Sequence, residues 1–177
     1  MTSLHSWKAI LSALPEELFF SKWPIDTRSV FHATEFSFAF TNLKPVIPGH
    51  VLVSPRRIVP RLHDLSDNEV ADLFCSARMV GKAILQAHPD SDSLTFTVQD
   101  GVSAGQTVPH VHVHVMPRSK SDIFNISKDG NDAVYEAIDN SEKVMMDQKS
   151  ETPARSKEDM VAEGESLRRI MERIIAK

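Results

Sequence analysis

Histidines stand at positions 110, 112 and 114, with valines at 111, 113 and 115. On an extended strand successive side chains point to opposite faces. The segment Gln106–Arg118, QTVPHVHVHVMPR, therefore predicts a strand with one face of imidazole and one of hydrocarbon. The valine face needs only a core to pack against. The imidazole face needs a reason, because buried imidazole requires hydrogen-bond partners. Three reasons compete. Two of the rings could share a metal ion, although a strand rise of about 3.3 Å per residue puts His110 and His114 too far apart to ligate one ion together. The rings could be structural, on a partly exposed sheet face. Or they could line a site for an extended anion such as a polyphosphate. In the last case one ring attacks phosphorus while its neighbours donate hydrogen bonds. Imidazole suits that work, since its ordinary pKa of about 6.5 keeps a neutral, nucleophilic form available near neutrality. A phosphorus–nitrogen intermediate would split one hard displacement into two easier ones.

The elements that must hold this row can be read from the chain. Trp7, Ile10, Leu11 and Leu14 follow helical spacing and Pro15 ends the run, which predicts a short N-terminal helix packed on the domain. From Ser29 to Thr41 the period is two, with Phe36, Phe38 and Phe40 on one face of a single strand. NLKPVIPGH is a turn, and Val51–Val53 restart a strand closed by Pro55. Residues 66–88 form the strongest helix. Ser66 and Glu69 make a capping-box pair, Val70, Leu73, Phe74, Ala77, Val80, Ile84 and Leu85 make the apolar stripe, and His88 with Pro89 stops it. Cys75, beside the stripe, reads as packing. Ser93–Gln99 alternates again, and DGVSAG joins it to the histidine strand as an antiparallel hairpin. That loop either presents backbone N–H groups to phosphate or merely connects. Residues 119–156 are polar and aperiodic, and are expected to be largely mobile; Tyr135, the only tyrosine, falls there, where modification is conceivable. Ser156 and Asp159 can cap a last helix with Met160, Leu167, Ile170, Met171 and Ile174 on its apolar side.

Bulk properties set bounds. The 177 residues suit one domain with a core, and 41% hydrophobic with 25% charged residues is ordinary for a globular protein. A net charge of −4 gives no bulk attraction for nucleic acid or an acidic membrane. Arg56, Arg57 and Arg61 form a small basic cluster, read as solvated surface. One cysteine excludes an internal disulfide and fits a reducing compartment. No apolar run is long enough to span a bilayer, and the N-terminus, which carries Glu16 and Glu17, lacks the features of a targeting peptide. The expected location is cytoplasmic, with the nucleus open.

H-V-H-V-H-V-M resembles the His-φ-His-φ-His-φ-φ signature of the histidine triad (HIT) superfamily of nucleotide hydrolases and transferases. FSFAFTNLKPVIPGHVLVSP, HDLSDNEVADLF, SLTFTVQDG and AGQTVPHVHVHVMPR together resemble its Fhit-like branch, whose members are dinucleoside triphosphate hydrolases. The resemblance covers about Phe20 to Arg118 closely and the last helix loosely. It implies an α+β HIT fold: a mainly antiparallel five-stranded sheet with a long helix and a C-terminal helix, and a two-fold dimer joining two sheets. The division expected is a helical extension over 1–19, the catalytic domain over 20–118, a polar loop over 119–155 and the packing helix over 156–177.

For the site, the resemblance implies a catalytic group of His112, His114, His110 and Gln99. His112 is the nucleophile that takes the nucleotidyl group, its other nitrogen donating to a backbone carbonyl of its own strand. His114 contacts the attacked phosphate. His110 lies behind, hydrogen-bonded to His50. Gln99 and Gln106 contact the polyphosphate, Gln99 near the scissile bridge and leaving group, and Thr107 adds a hydroxyl. Asn42 lies near the ribose, and Phe20 beside the base, with Ile25 and Leu43 as pocket walls or plain core. No metal is held by the protein and no cofactor is bound permanently; Mg²⁺ or Mn²⁺ accompanies the substrate. The implied reaction is hydrolysis of diadenosine triphosphate to AMP and ADP through an adenylyl-histidine. A hydrolase preferring diadenosine tetraphosphate or adenosine 5′-phosphosulfate, and a signalling module whose dinucleotide complex is the active form, stay open. The partners implied are the dinucleotide and a second copy of the chain, with no nucleic acid and no membrane.

Overall fold

The structure is a computed structural model describing residues 4–15, 17–122, 134–138 and 154–177. Five strands form one antiparallel sheet in the order β3 (Val30–Ala33), β4 (Ser37–Thr41), β5 (Val51–Pro55), β7 (Val113–Arg118) and β6 (Ser93–Thr97). A separate two-stranded hairpin, β1 (Leu18–Phe20) and β2 (Trp23–Ile25), precedes it. Among the described residues the longer helices are α1 (Leu4–Ser12), α2 (Asp67–Ala87) and α3 (Lys157–Ile175).

Register divides the sheet into two faces. Ala39 pairs with Val53 and Val53 with Val113, so these side chains share one face. With Val51, Val111 and Val115 they are buried against Leu73, Ala77, Val80, Ala83 and Ile84 of α2 and Leu167, Ile170 and Met171 of α3. Phe40 pairs with Leu52, Leu52 with His114, and His114 with Thr97, which places His114 on the opposite face. There Phe20, Phe38, Phe40, Leu52 and Val108 make a second apolar cluster. The valine–histidine alternation of the sequence thus separates a hydrocarbon core from the imidazole row. The regular strand starts only at Val113, so His112 lies just before it and His110 in the bend at 108–110, neither of them on a ladder.

The helix caps form as their sequences dictate. Ser66 Oγ accepts from the Glu69 N–H while the Glu69 carboxylate accepts from the Ser66 N–H, which satisfies two otherwise orphaned donors. At α3 the Ser156 hydroxyl accepts from the Asp159 N–H. Gly164 lets α3 lie on the turn at Thr27–Ser29: a Cβ there would stand 2.9 Å from both the Cα and the carbonyl oxygen of Ser29, and backbone cannot move aside as a side chain can.

Several expectations are corrected. The single strand over 29–41 is two strands, because Thr34 turns the chain: its hydroxyl accepts from the Ser37 N–H, and its own N–H donates to the Ser37 carbonyl. Phe36 consequently sits at the turn and is only half-buried. Phe74 is 43% exposed and Cys75 is exposed, so neither packs in the stripe; at 100° per residue both have rotated off the face that carries Leu73, Ala77 and Val80. The basic cluster is not simply solvated. Arg57 makes a two-pronged ion pair with Glu69, Arg61 pairs with Asp100, and the buried Nε and Nη2 of Arg56 meet no acceptor among the described residues. Within the polar segment, residues 134–138 are helical, with Val134 and Ile138 buried against Ile47 and Met116 and Tyr135 at the surface. The rest of the expectation of mobility falls on 123–133 and 139–153, outside the described residues.

The N-terminal helix docks through Trp7, 2% exposed, whose indole N–H donates to His32 Nδ1 at 3.1 Å. An accepting Nδ1 leaves the proton on His32 Nε2, 3.3 Å from Ser76 Oγ of α2. Helix α1, strand β3 and helix α2 are thereby joined through one buried ring.

Candidate active site

The site grows from the lead-in to β7. His112 Nδ1 lies 2.8 Å from the backbone carbonyl of His110. A carbonyl only accepts, so Nδ1 carries the proton and the lone pair is on Nε2. This is the hydrogen bond that the family resemblance implied. The ring is 1% exposed and sits edge-on to Phe20, with centroids 5.1 Å apart.

His114 is tied differently. The Val46 N–H donates to His50 Nδ1 at 3.2 Å, so His50 carries its proton on Nε2. That Nε2–H faces His114 Nδ1 at 2.9 Å and makes it the acceptor. The proton of a neutral His114 therefore resides on Nε2. Asn42 supports the relay: its amide nitrogen lies 3.3 Å from His50 Nδ1, and its carbonyl oxygen accepts from the Lys44 N–H. The rings of His112 and His114 are 4.7 Å apart and hold opposite tautomers. One offers a lone pair at Nε2, the other an N–H at Nε2. Gly49, with φ of +81°, makes the turn that delivers His50; a Cβ there would meet His88 Nε2 at 2.3 Å.

His110 departs from the role expected of it. It is not bonded to His50. Its Nδ1 accepts from the Ser21 N–H at 2.9 Å, and its Nε2 donates to the Pro55 carbonyl at 2.9 Å. Both nitrogens are committed to backbone, so the ring has no atom to offer a reacting group and is better called a positioning residue than a catalytic one. Burial lowers its pKa to about 4 against the raising effect of the Pro55 carbonyl, and burial likewise takes His32 to about 4. Folding thus favours both neutral rings. The unfolded chain takes up their protons near pH 6.5, so stability is full above that pH and declines as pH falls towards about 4. Each ring is worth up to about 3 kcal/mol over that window. Urea-unfolding midpoints should hold steady from pH 8.5 to 7.5 and fall between 6.5 and 4.5; a flat profile would refute the assignment.

The glutamines divide. Gln99 is buried. Gln106 turns its amide inward: its carbonyl accepts from the Gly101 N–H and its nitrogen donates to the Pro60 carbonyl, both at 2.8 Å. It braces the 100–105 loop, and its amide nitrogen is turned to the Pro60 carbonyl rather than to a phosphate. The loop's own N–H groups at Gly101, Ala104 and Gly105, and that of Gln106, all have partners inside the loop. The connecting role therefore accounts for most of it. Asp100 accepts from Arg61 and the Leu62 N–H, and the Arg61 guanidinium holds its carboxyl below the usual range. Thr107 is half-buried next to Gln106. Phe20, 3% exposed, stacks on His110 at 5.4 Å and leans on Phe40 at 5.3 Å. Ile25 packs at the edge of the same cluster, and the Leu43 carbonyl accepts from the Arg155 N–H. Sequence reasoning missed Ser21 and Val46, whose backbone N–H groups set the tautomers of His110 and His50. No side-chain signal marks a backbone donor.

The family model described as HIT domain matches residues 25–121. The chain is 44% identical over 154 residues, 87% of itself and 93% of the relative, to a bis(5′-adenosyl)-triphosphatase of Dictyostelium discoideum. It is 50% identical over 129 residues, 73% of itself and 67% of the relative, to an asymmetrical bis(5′-nucleosyl)-tetraphosphatase of Schizosaccharomyces pombe. Among solved structures, a Plasmodium falciparum diadenosine triphosphate hydrolase in complex with cyclomarin A superposes with a TM-score of 0.71 at 26% identity, covering 96% of this chain and 94% of that one. The chain belongs to the HIT domain family, in its Fhit-like branch.

Proposed function

We propose that the protein hydrolyses diadenosine triphosphate to AMP and ADP through an adenylyl group carried on His112. The observation that carries this reading is the pair of opposed tautomers: a lone pair at His112 Nε2 beside an N–H at His114 Nε2. His112 Nε2 attacks the α-phosphorus, a P–N bond forms, and the P–O bond to the bridging oxygen breaks to release ADP. The adenylylated imidazole, still protonated at Nδ1, is then cationic, and its Nδ1–H bond to the His110 carbonyl becomes charge-assisted. His114 Nε2–H donates to a non-bridging oxygen as charge gathers there. Water attacks the same phosphorus, the P–N bond breaks, and AMP leaves with the solvent oxygen. Gln99 serves the leaving-group side, Asn42 the ribose and Phe20 the base. Thr107 adds a donor along the chain of phosphates.

A cation, Mg²⁺ or Mn²⁺, arrives with the polyphosphate. The protein works as a two-fold dimer in the cytoplasm. Two observations support the dimer: β6 is an edge strand, and Phe96 on it and Phe74 on α2 are 45% and 43% exposed. An unpaired strand edge beside exposed aromatics fits a second copy; a single-chain mass by light scattering would remove that element. No helix among the described residues is long and apolar enough to cross a membrane. Diadenosine tetraphosphate stays as a second substrate, because the relative at 50% identity bears a tetraphosphatase name.

Turnover of diadenosine triphosphate in ¹⁸O-water tests the reading. AMP should carry the label and ADP none. Label in ADP, or no turnover of the triphosphate, the tetraphosphate or the phosphosulfate, would overturn it. Slow chemistry from a long-lived complex would favour the signalling module instead.

A further inference from the structure

We propose that Ser21 is a positioning residue for the nucleophile, its backbone N–H holding the His110 ring and, through the His110 carbonyl, the His112 imidazole. The proposal rests on the reading of His112 given above and concerns how that ring is kept in place. Ser21 is the one non-glycine among the described residues with a positive φ, +56°. It is the first central residue of the two-residue turn between Phe20 and Trp23, and Lys22 after it is not positive. This is a II′ arrangement, which favours glycine there. A serine in that conformation costs on the order of 1 kcal/mol or more. What the strained turn achieves is visible: it aims the Ser21 N–H at His110 Nδ1, 2.9 Å away.

The consequences run in sequence. The His110 ring is pinned at both ends, between the β1–β2 turn and the Pro55 carbonyl at the end of β5. Phe20, next to Ser21, covers the rings of His110 and His112 together. The pinned residue carries the carbonyl that holds His112 Nδ1 at 2.8 Å. Helix α1 seats the hairpin, since Ile10, Leu11 and Leu14 pack on the cluster that contains Leu18 and Phe20. The titratable group that acts on His110 is the His112 ring, and the Phe20 ring and the backbones of Ser21, Pro55 and Arg57 also contact it. Without the Ser21 donor, a buried Nδ1 either goes without a partner or takes up a proton. A proton there places a cation beside His112, and the cationic adenylyl-imidazole then becomes harder to form.

Ser21→Pro removes the N–H and cannot adopt φ of +56°, whereas Ser21→Gly keeps the donor and relaxes the turn. Imidazole ¹⁵N spectra of the histidine-labelled protein should show His110 with its proton on Nε2 in the wild type and in Ser21→Gly, down to about pH 5. In Ser21→Pro the ring should titrate at a higher pH than in the wild type, because the donor that favours its neutral form is gone while burial persists. Its kcat should fall about tenfold with KM within about twofold, and the acid limb of the kcat–pH profile should move upward. Glycine should restore all three. If proline unfolds the hairpin, an α-hydroxy acid at position 21, which replaces the N–H by oxygen and leaves the side chain, deletes the donor alone. An unchanged His110 spectrum in the donor-deleted protein, or a rise in KM with kcat intact, overturns the proposal. The spectra need no turnover, so failure of this link and failure of the hydrolase reading are separately visible.

Discussion

His112→Asn is expected to lower kcat by at least about four orders of magnitude while dinucleotide binding changes by only a few-fold. Asparagine can still donate a hydrogen bond from a similar place, but it has no aromatic nitrogen with which to form a P–N bond. The loss exceeds that of a misplaced contact because the two-step route disappears altogether. At about 1.4 kcal/mol per tenfold, the barrier rises by on the order of 5–6 kcal/mol. The fold should tolerate the change, since the ring's bond to the His110 carbonyl can be remade by an amide N–H. Single-turnover rates and equilibrium binding, measured on the same preparation, check the split. A variant turning over within tenfold of the wild type would remove His112 as nucleophile.

The second large effect concerns His114. His114→Ala should cost about 10² to 10³ in kcat, the range found when one preorganised oxyanion donor is deleted. His114→Gln, which restores an N–H near the same place, should recover part of it. The size follows from the relay. The Val46 N–H fixes His50, His50 fixes His114, and the proton on His114 Nε2 is set before substrate arrives. A donor already oriented costs no reorganisation during the reaction. His50→Phe should accordingly give a smaller loss than His114→Ala, because it releases the tautomer without deleting the donor. Equal losses in the two variants would mean that His50 does more than orient. A loss confined to KM in His114→Ala would mean that His114 grips the ground state alone.

Much of this architecture was legible in the residues. Alternating valine and histidine assigned two faces, and the faces are those observed: Val111, Val113 and Val115 go to the core with α2 and α3. Ser66 with Glu69, and Ser156 with Asp159, marked helix starts to within a residue, because a cap is local chemistry. What stayed hidden depended on backbone. The turns at Thr34 and Ser21 carry no glycine, proline or asparagine; one is closed by a threonine hydroxyl, and the other keeps a serine at positive φ. Cys75 and Phe74 were misplaced because residues one or two steps from a stripe differ by only a fraction of a turn. The pairing of His50 with His114 instead of His110 follows from strand register, since Leu52 lies opposite His114 and the Gly49 turn brings position 50 to that end of β7. Spacing in the sequence contains no register.

Rapid acid-free quenching of the working enzyme with adenine-labelled diadenosine triphosphate, followed by peptide mapping, tests the central claim most directly. The account predicts one labelled peptide, with AMP on Nε2 of His112 and none on His110 or His114, and retention of configuration at the α-phosphorus over the full cycle. No labelled peptide, together with inversion at that phosphorus, would mean that water displaces ADP in one step and that His112 never bonds to the nucleotide.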